Sequence, residues 1–223
     1  MTVIVFVSLI LSVILDSIFK SKVKKLSEIN LYHNMSGAEI AEKMLHDNGI
    51  FDVKVTTTDG GLTDHYNPFD KTVNLSHDVY YGKSVIASAI AAHECGHAVQ
   101  HADAYKWLNF RSTIIPIVSI SSRWVSWVLF LGIVTVKIFP QLLLIGIIML
   151  AAITLFSIIT LPVEFDASNR AMAWLNNRNI LQPDESSMAR SALNWAASTY
   201  ILAALTSIAL LLYSVGIFSG RRN

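Results

Sequence analysis

The chain has 223 residues, 53% of them hydrophobic, with a mean hydropathy of +0.49 and only 15% charged residues. Ordinary soluble domains carry about 25% charge, so the composition excludes a simple soluble domain and points to a membrane protein with a modest polar portion. A net charge of +1 gives no reason to expect nucleic acid or an acidic partner. The single cysteine, Cys95, excludes an intramolecular disulfide.

Residues 1–19 form an apolar run broken only by Asp16. The run has no basic start and no small-residue cleavage site, so it reads as a retained transmembrane anchor rather than a removed signal. Residues 20–112 then hold most of the polar chemistry and read as a cytoplasmic α+β portion. Ser36 and Glu39 have the spacing of a capping box ahead of an apolar stripe at Ile40, Ala41, Met44 and Leu45, with Gly49 suited to the position after the helix. Residues 51–58, 62–66 and 71–75 read as three short strands, the first two separated by Asp59-Gly60-Gly61. Val73–Ser76 reads either as an edge strand, where an extended peptide can pair with it and Asn74 is the candidate substrate contact, or as an ordinary sheet strand. Ser84 is placed to cap a helix running to about His101.

Two apolar segments follow, 124–139 (extending back as far as 114) and 142–161. Pro140-Gln141 between them leaves room for a tight turn, so residues 113–162 read as a transmembrane hairpin. A polar helical segment, 163–198, begins after Pro162. Pro183-Asp184-Glu185 opens the last helix, whose apolar part lies in 199–223. The whole is a mainly α membrane protein with about four transmembrane helices and a small α+β portion. Lys20, Lys22, Lys24, Lys25, Arg111, Arg123, Arg170, Arg178 and Arg190 fall on one side of these spans, and Lys137, Arg221 and Arg222 on the other. That bias places the polar portion in the cytoplasm. Trp124 and Trp127, beside Arg123, suit either an interfacial belt or packing within the bundle.

The chemistry is concentrated at His93-Glu94-Cys95-Gly96-His97. Two histidines at i and i+4 share one helix face and can chelate one ion, with the glutamate beside the first of them reaching a bound water instead. A catalytic zinc takes three protein ligands and keeps one position open, so a third ligand must come from elsewhere. His101 continues the series but lies about 12 Å along the axis from His93, which makes it a solvated or supporting residue. His33, His46, His65 and His77 are scattered and read as ordinary surface or packing residues. Glu164 is the better candidate, because two membrane crossings return the chain to the face that carries His97. The alternative is an interfacial carboxylate paired with Arg170 or with a helix N-terminus. Asp166 is the alternative ligand. Cys95 falls about 200° round the helix from His93 and reads as a small packing residue.

Thr63-Asp64-His65-Tyr66-Asn67-Pro68, Val73-Asn74-Leu75-Ser76, Ala91 through Gln100, and Leu161-Pro162-Val163-Glu164-Phe165-Asp166-Ala167-Ser168 together resemble the YugP-like neutral zinc metallopeptidases. The resemblance covers almost the whole chain, and the group is itself similar to gluzincin-type membrane proteases such as the HtpX-like group. It implies one Zn2+ per chain on His93, His97 and Glu164, with Glu94 catalytic, and peptides or unfolded membrane-protein segments as substrates. The HtpX-like pattern has an aspartate four residues after the ligand glutamate. Ser168 stands there in this chain, and Asp166 and Ser168 are the candidate supporting residues. Two other readings compete: an intramembrane zinc protease, and a non-enzymatic membrane protein with a structural metal. A distant aspartate on a later apolar helix would favour the first, yet no aspartate lies between Asp103 and Asp166. A structural site is usually closed by four ligands and gives Glu94 no role.

Overall fold

The computed structural model describes residues 2–220 and, within the first helix, the side chains of Val7 and of Ile10 onward. It is mainly helical, with seven helices and one small sheet: α1 (Thr2–Ser27), α2 (Gly37–Asp47), β1 (Lys54–Thr58), β2 (His65–Asn67), β3 (Thr72–Ser76), α3 (His77–Tyr80), α4 (Val85–Ala102), α5 (Lys106–Val134), α6 (Pro140–Asn177) and α7 (Pro183–Gly220). These divide into two compact units.

The first unit combines 1–15, 109–162 and 198–223. Among the described residues three helices, α5, α6 and α7, are long and apolar enough to cross a membrane. The fourth expected span, 1–19, begins on residues outside the described ones, as do Arg221 and Arg222; its described part is helical within α1. The turn of the expected hairpin falls earlier than Pro140-Gln141. It is made by Ile138 and Phe139 donating to the Thr135 carbonyl, at 2.9 and 2.7 Å. Pro140 instead opens α6, where its missing N–H is one the helix would leave unpaired anyway. The two arms approach closely at Gly132, where a Cβ would lie 2.7 Å from Leu143 Cα. Trp124 and Trp127 are exposed on α5 rather than packed.

The second unit combines 16–108 and 163–197. The Ser36 capping box forms in full, a device that contributes about 1 kcal/mol. Gly49 takes φ +73° after α2, as a residue without a Cβ does readily. The strand order is β1-β3-β2, with β1 parallel and β2 antiparallel to β3. Of the two readings of Val73–Ser76, the edge strand is excluded and the ordinary sheet strand holds, because β3 is the central strand. The short link after β2 folds it back onto one side of β3, and β1 takes the other. Asn74 lies within this sheet, where Thr56 Oγ1 donates to its Oδ1 at 2.8 Å and its Nδ2 donates to Thr72 Oγ1 at 2.8 Å.

The core of this unit is built on α4. Val85, Ala89, Ala91, Ala92 and Cys95 are fully enclosed among Ile40, Met44, Leu45, Val73 and Leu75. Small alanines along α4 let its neighbours approach on nearly every side. The new helix expected after Pro162 is a continuation of α6, which holds Pro162 inside it. Proline costs one helical hydrogen bond. Against that, Val163, Ala167, Ala171 and Leu175 continue one i, i+4 stripe, all at 0% exposure.

Candidate metal centre

Ser84 starts α4 by accepting from the Ala87 N–H at 3.2 Å, and the helix carries His93, Glu94 and His97 without a break. The i, i+4 spacing puts the two imidazoles side by side, with ring centroids 4.9 Å apart. α6 supplies Glu164 opposite them. Its Oε2 lies 3.3 Å from His93 Nε2 and 3.7 Å from His97 Nε2. Among the described residues, these three form the group whose donor atoms, all within 4.8 Å of one another, can hold a metal ion. Glu164 and His97 are buried, at 3% and 7% exposure, while the His93 side chain is 15% exposed and leaves the cluster open on one side.

The donor set fits zinc. Tetrahedral ligands at the usual bond lengths stand about 3.3–3.5 Å apart, and the two carboxylate–imidazole separations bracket that spacing closely. Two carboxylates, Glu94 and Glu164, are buried beside two imidazoles, a grouping that is costly unless a cation compensates it. Burial pushes the Glu164 carboxyl upward, but hydrogen bonding and charge from His93 and His97 outweigh it and hold the group well below the ordinary carboxylate range.

The imidazoles are held from behind through their other nitrogens. Ser168 Oγ lies 3.1 Å from His93 Nδ1, and Gln100 Oε1 lies 3.0 Å from His97 Nδ1. The Gln100 amide donates to the Val163 carbonyl and to Asp166 Oδ2, each at 2.8 Å. Asp166 also accepts from Arg170 Nε at 2.6 Å, and Arg170 reaches Asp103 at 2.5 Å. Asp166 therefore stands behind the cluster rather than in it, and Arg170 pairs with Asp166 and Asp103, not with Glu164.

Glu94 sits on the sheet side of the cluster, where the Tyr66 backbone N–H donates to its Oε2 at 3.0 Å. The strand that approaches the site is thus β2, not β3. His101 is drawn the same way, with Nδ1 2.7 Å from the Tyr66 hydroxyl. Cys95 points into the core, its Sγ 3.5 Å from the Ala41 carbonyl; burial, then the charge of Glu94, push its thiol well above the ordinary value. His33, His46, His65 and His77 are engaged away from the cluster, with Tyr32, Phe51, the Thr63 carbonyl and Tyr81 respectively.

Two residues that matter here escaped the sequence reading. Gln100 holds His97, and its signal was a polar side chain in an otherwise alanine-rich buried helix. Gly96 faces α6 so closely that a Cβ would lie 2.6 Å from the Ala167 carbonyl oxygen. Its signal was the lone glycine inside a helix, which costs about 1 kcal/mol against alanine unless a close approach requires it.

Across residues 1–219 the chain matches the model of a family described as "putative neutral zinc metallopeptidase". It is 41% identical over 204 residues, covering 92% of this chain and 90% of the other, to a Bacillus subtilis protein described as "putative membrane protease YugP". No solved structure matches. The sequence match and the two-histidine, one-glutamate cluster agree, and the chain belongs to this zinc metallopeptidase family.

Proposed function

We propose that the protein is a multi-pass membrane zinc endopeptidase that cleaves peptides or unfolded membrane-protein segments near the cytoplasmic membrane face. The observation that carries this reading is the convergence of His93 Nε2, His97 Nε2 and Glu164 Oε2, with Glu94 on the same helix turn. Those three would hold one zinc ion, which supplies acidity to a bound water near neutral pH and polarises the scissile carbonyl. Glu94 is the general base: its carboxylate takes the proton of the attacking water and returns it to the leaving amine. The Tyr66 N–H donates to that carboxylate at 3.0 Å and holds it toward β2. His93 and His97 would be the imidazole ligands, each supported at Nδ1.

β2 is a sheet edge beside Glu94, and an extended substrate running along it would meet the base directly. Asn74 is engaged in the sheet interior and contributes by holding the sheet rather than by touching substrate. A fourth span at 1–19 is part of this proposal, and the excess of basic residues on one side of the spans supports a cytoplasmic polar portion. Detergent-purified protein should contain one zinc per chain and cleave casein. Glu94→Gln should keep the zinc and lose at least about 100-fold in cleavage, the scale of a general base. Unchanged cleavage in that variant would remove Glu94 from the mechanism.

A further inference from the structure

The two histidines are supported by chemically different partners. A serine hydroxyl can donate or accept, so Ser168 leaves the protonation of His93 Nδ1 unspecified. Gln100 has no such freedom. Its Nε2 faces the Val163 carbonyl and the Asp166 carboxylate, each at 2.8 Å. Both are acceptors, and Asp166 is itself held by Arg170. Turning the amide round would set its oxygen against both. Gln100 Oε1 must therefore face His97 Nδ1, 3.0 Å away, and an amide oxygen only accepts. Gln100 is 0% exposed, so water does not compete for either end.

We propose that Gln100 is the positioning residue of the metal centre, fixing the hydrogen on His97 Nδ1 so that the lone pair left for a metal is the one on Nε2. The same side chain ties α4 to the backbone of Val163, one residue before Glu164. It thereby sets the orientation of one ligand and the approach of another. The inference rests on the proposed zinc site and adds an asymmetry to it: His97 is the fixed ligand and His93 the adaptable one.

The test uses the full chain in detergent micelles and reads metal binding rather than cleavage. Zinc affinity is measured by competition with a chromogenic chelator for the parent, Gln100→Met and Ser168→Ala, with helical circular dichroism of the metal-free proteins as the check on folding. Gln100→Met, which fills the volume without an acceptor, should bind zinc about 10- to 100-fold more weakly, the range found when such supporting partners are removed. Ser168→Ala should lose less than Gln100→Met. Equal zinc affinity in the parent and a folded Gln100→Met would overturn the inference while leaving the site standing. A parent that binds no zinc would instead remove the site, and the inference with it. Nitrogen-15 histidine spectra of the zinc-loaded parent add an independent check on the geometry. They should show His97 with Nδ1 protonated and Nε2 on the metal, and the opposite assignment would refute the proposal.

Discussion

Replacing Gly96 by alanine separates the metal centre from the catalytic groups more cleanly than any ligand substitution, because it touches neither. The added Cβ would sit 2.6 Å from the Ala167 carbonyl oxygen and 3.1 Å from two further backbone atoms of that residue. Ordinary contact begins near 3.4 Å, so α4 and α6 must part by about 0.8 Å at this level. Backbone cannot swing aside as a side chain can. A sound metal site keeps its bond lengths within about 0.2 Å of the standard values, and Glu164 sits less than one turn from Ala167 on the displaced helix. Overpacking of this kind costs about 1–3 kcal/mol. Spent wholly on the metal centre at 1.4 kcal/mol per factor of ten, that is about 5- to 150-fold in zinc affinity. The assay is chelator competition on purified Gly96→Ala, with Gly216→Ala, where an added Cβ meets nothing within 4 Å, as the control. A folded Gly96→Ala that binds zinc within twofold of the parent would refute the claim that helix separation governs the site.

Cys95 is buried and its thiol is held protonated by burial and by Glu94, so native protein should resist maleimide labelling at pH 8 and become labelled only on unfolding. Fast labelling of the folded protein would contradict the packing role. The Tyr66 hydroxyl is pushed up to about 12 by burial, then by the charge of Asp52. The folded state therefore holds its proton while an unfolded tyrosine releases it near pH 10. The stability this supplies is whole below pH 10 and is lost as the pH rises towards 12. Thermal melts across that window should fall less steeply for Tyr66→Phe than for the parent, and parallel curves would contradict the assignment.

The helix-borne half of the centre was legible because it is local. His93 and His97 are four residues apart, and helical geometry alone puts them on one face. Glu164 was legible for a different reason: two apolar crossings must bring the chain back to the side it left. The supports were not legible. Whether Gln100 meets α6 depends on a partner 63 residues away, and Gly96 shows its purpose only once Ala167 lies against it. The sheet shows the same limit. Alternation in 51–58 and the turn residues between the later segments marked three strands, but their order lies in no single segment, and the central place of β3 leaves β2 as the edge beside the site. Pro162 misled in the opposite direction. A local breaker was read as a boundary, while the buried stripe Val163, Ala167, Ala171 and Leu175 carried the helix through it.

X-ray absorption at the zinc edge of the purified, metal-loaded protein reads the ligand set itself. The account predicts two imidazole nitrogens and carboxylate or water oxygens at about 2.0–2.2 Å, with one imidazole lost in His97→Ala and a weakened oxygen shell in Glu164→Ala. A sulfur shell near about 2.3 Å, or a spectrum unchanged by Glu164→Ala, would contradict it.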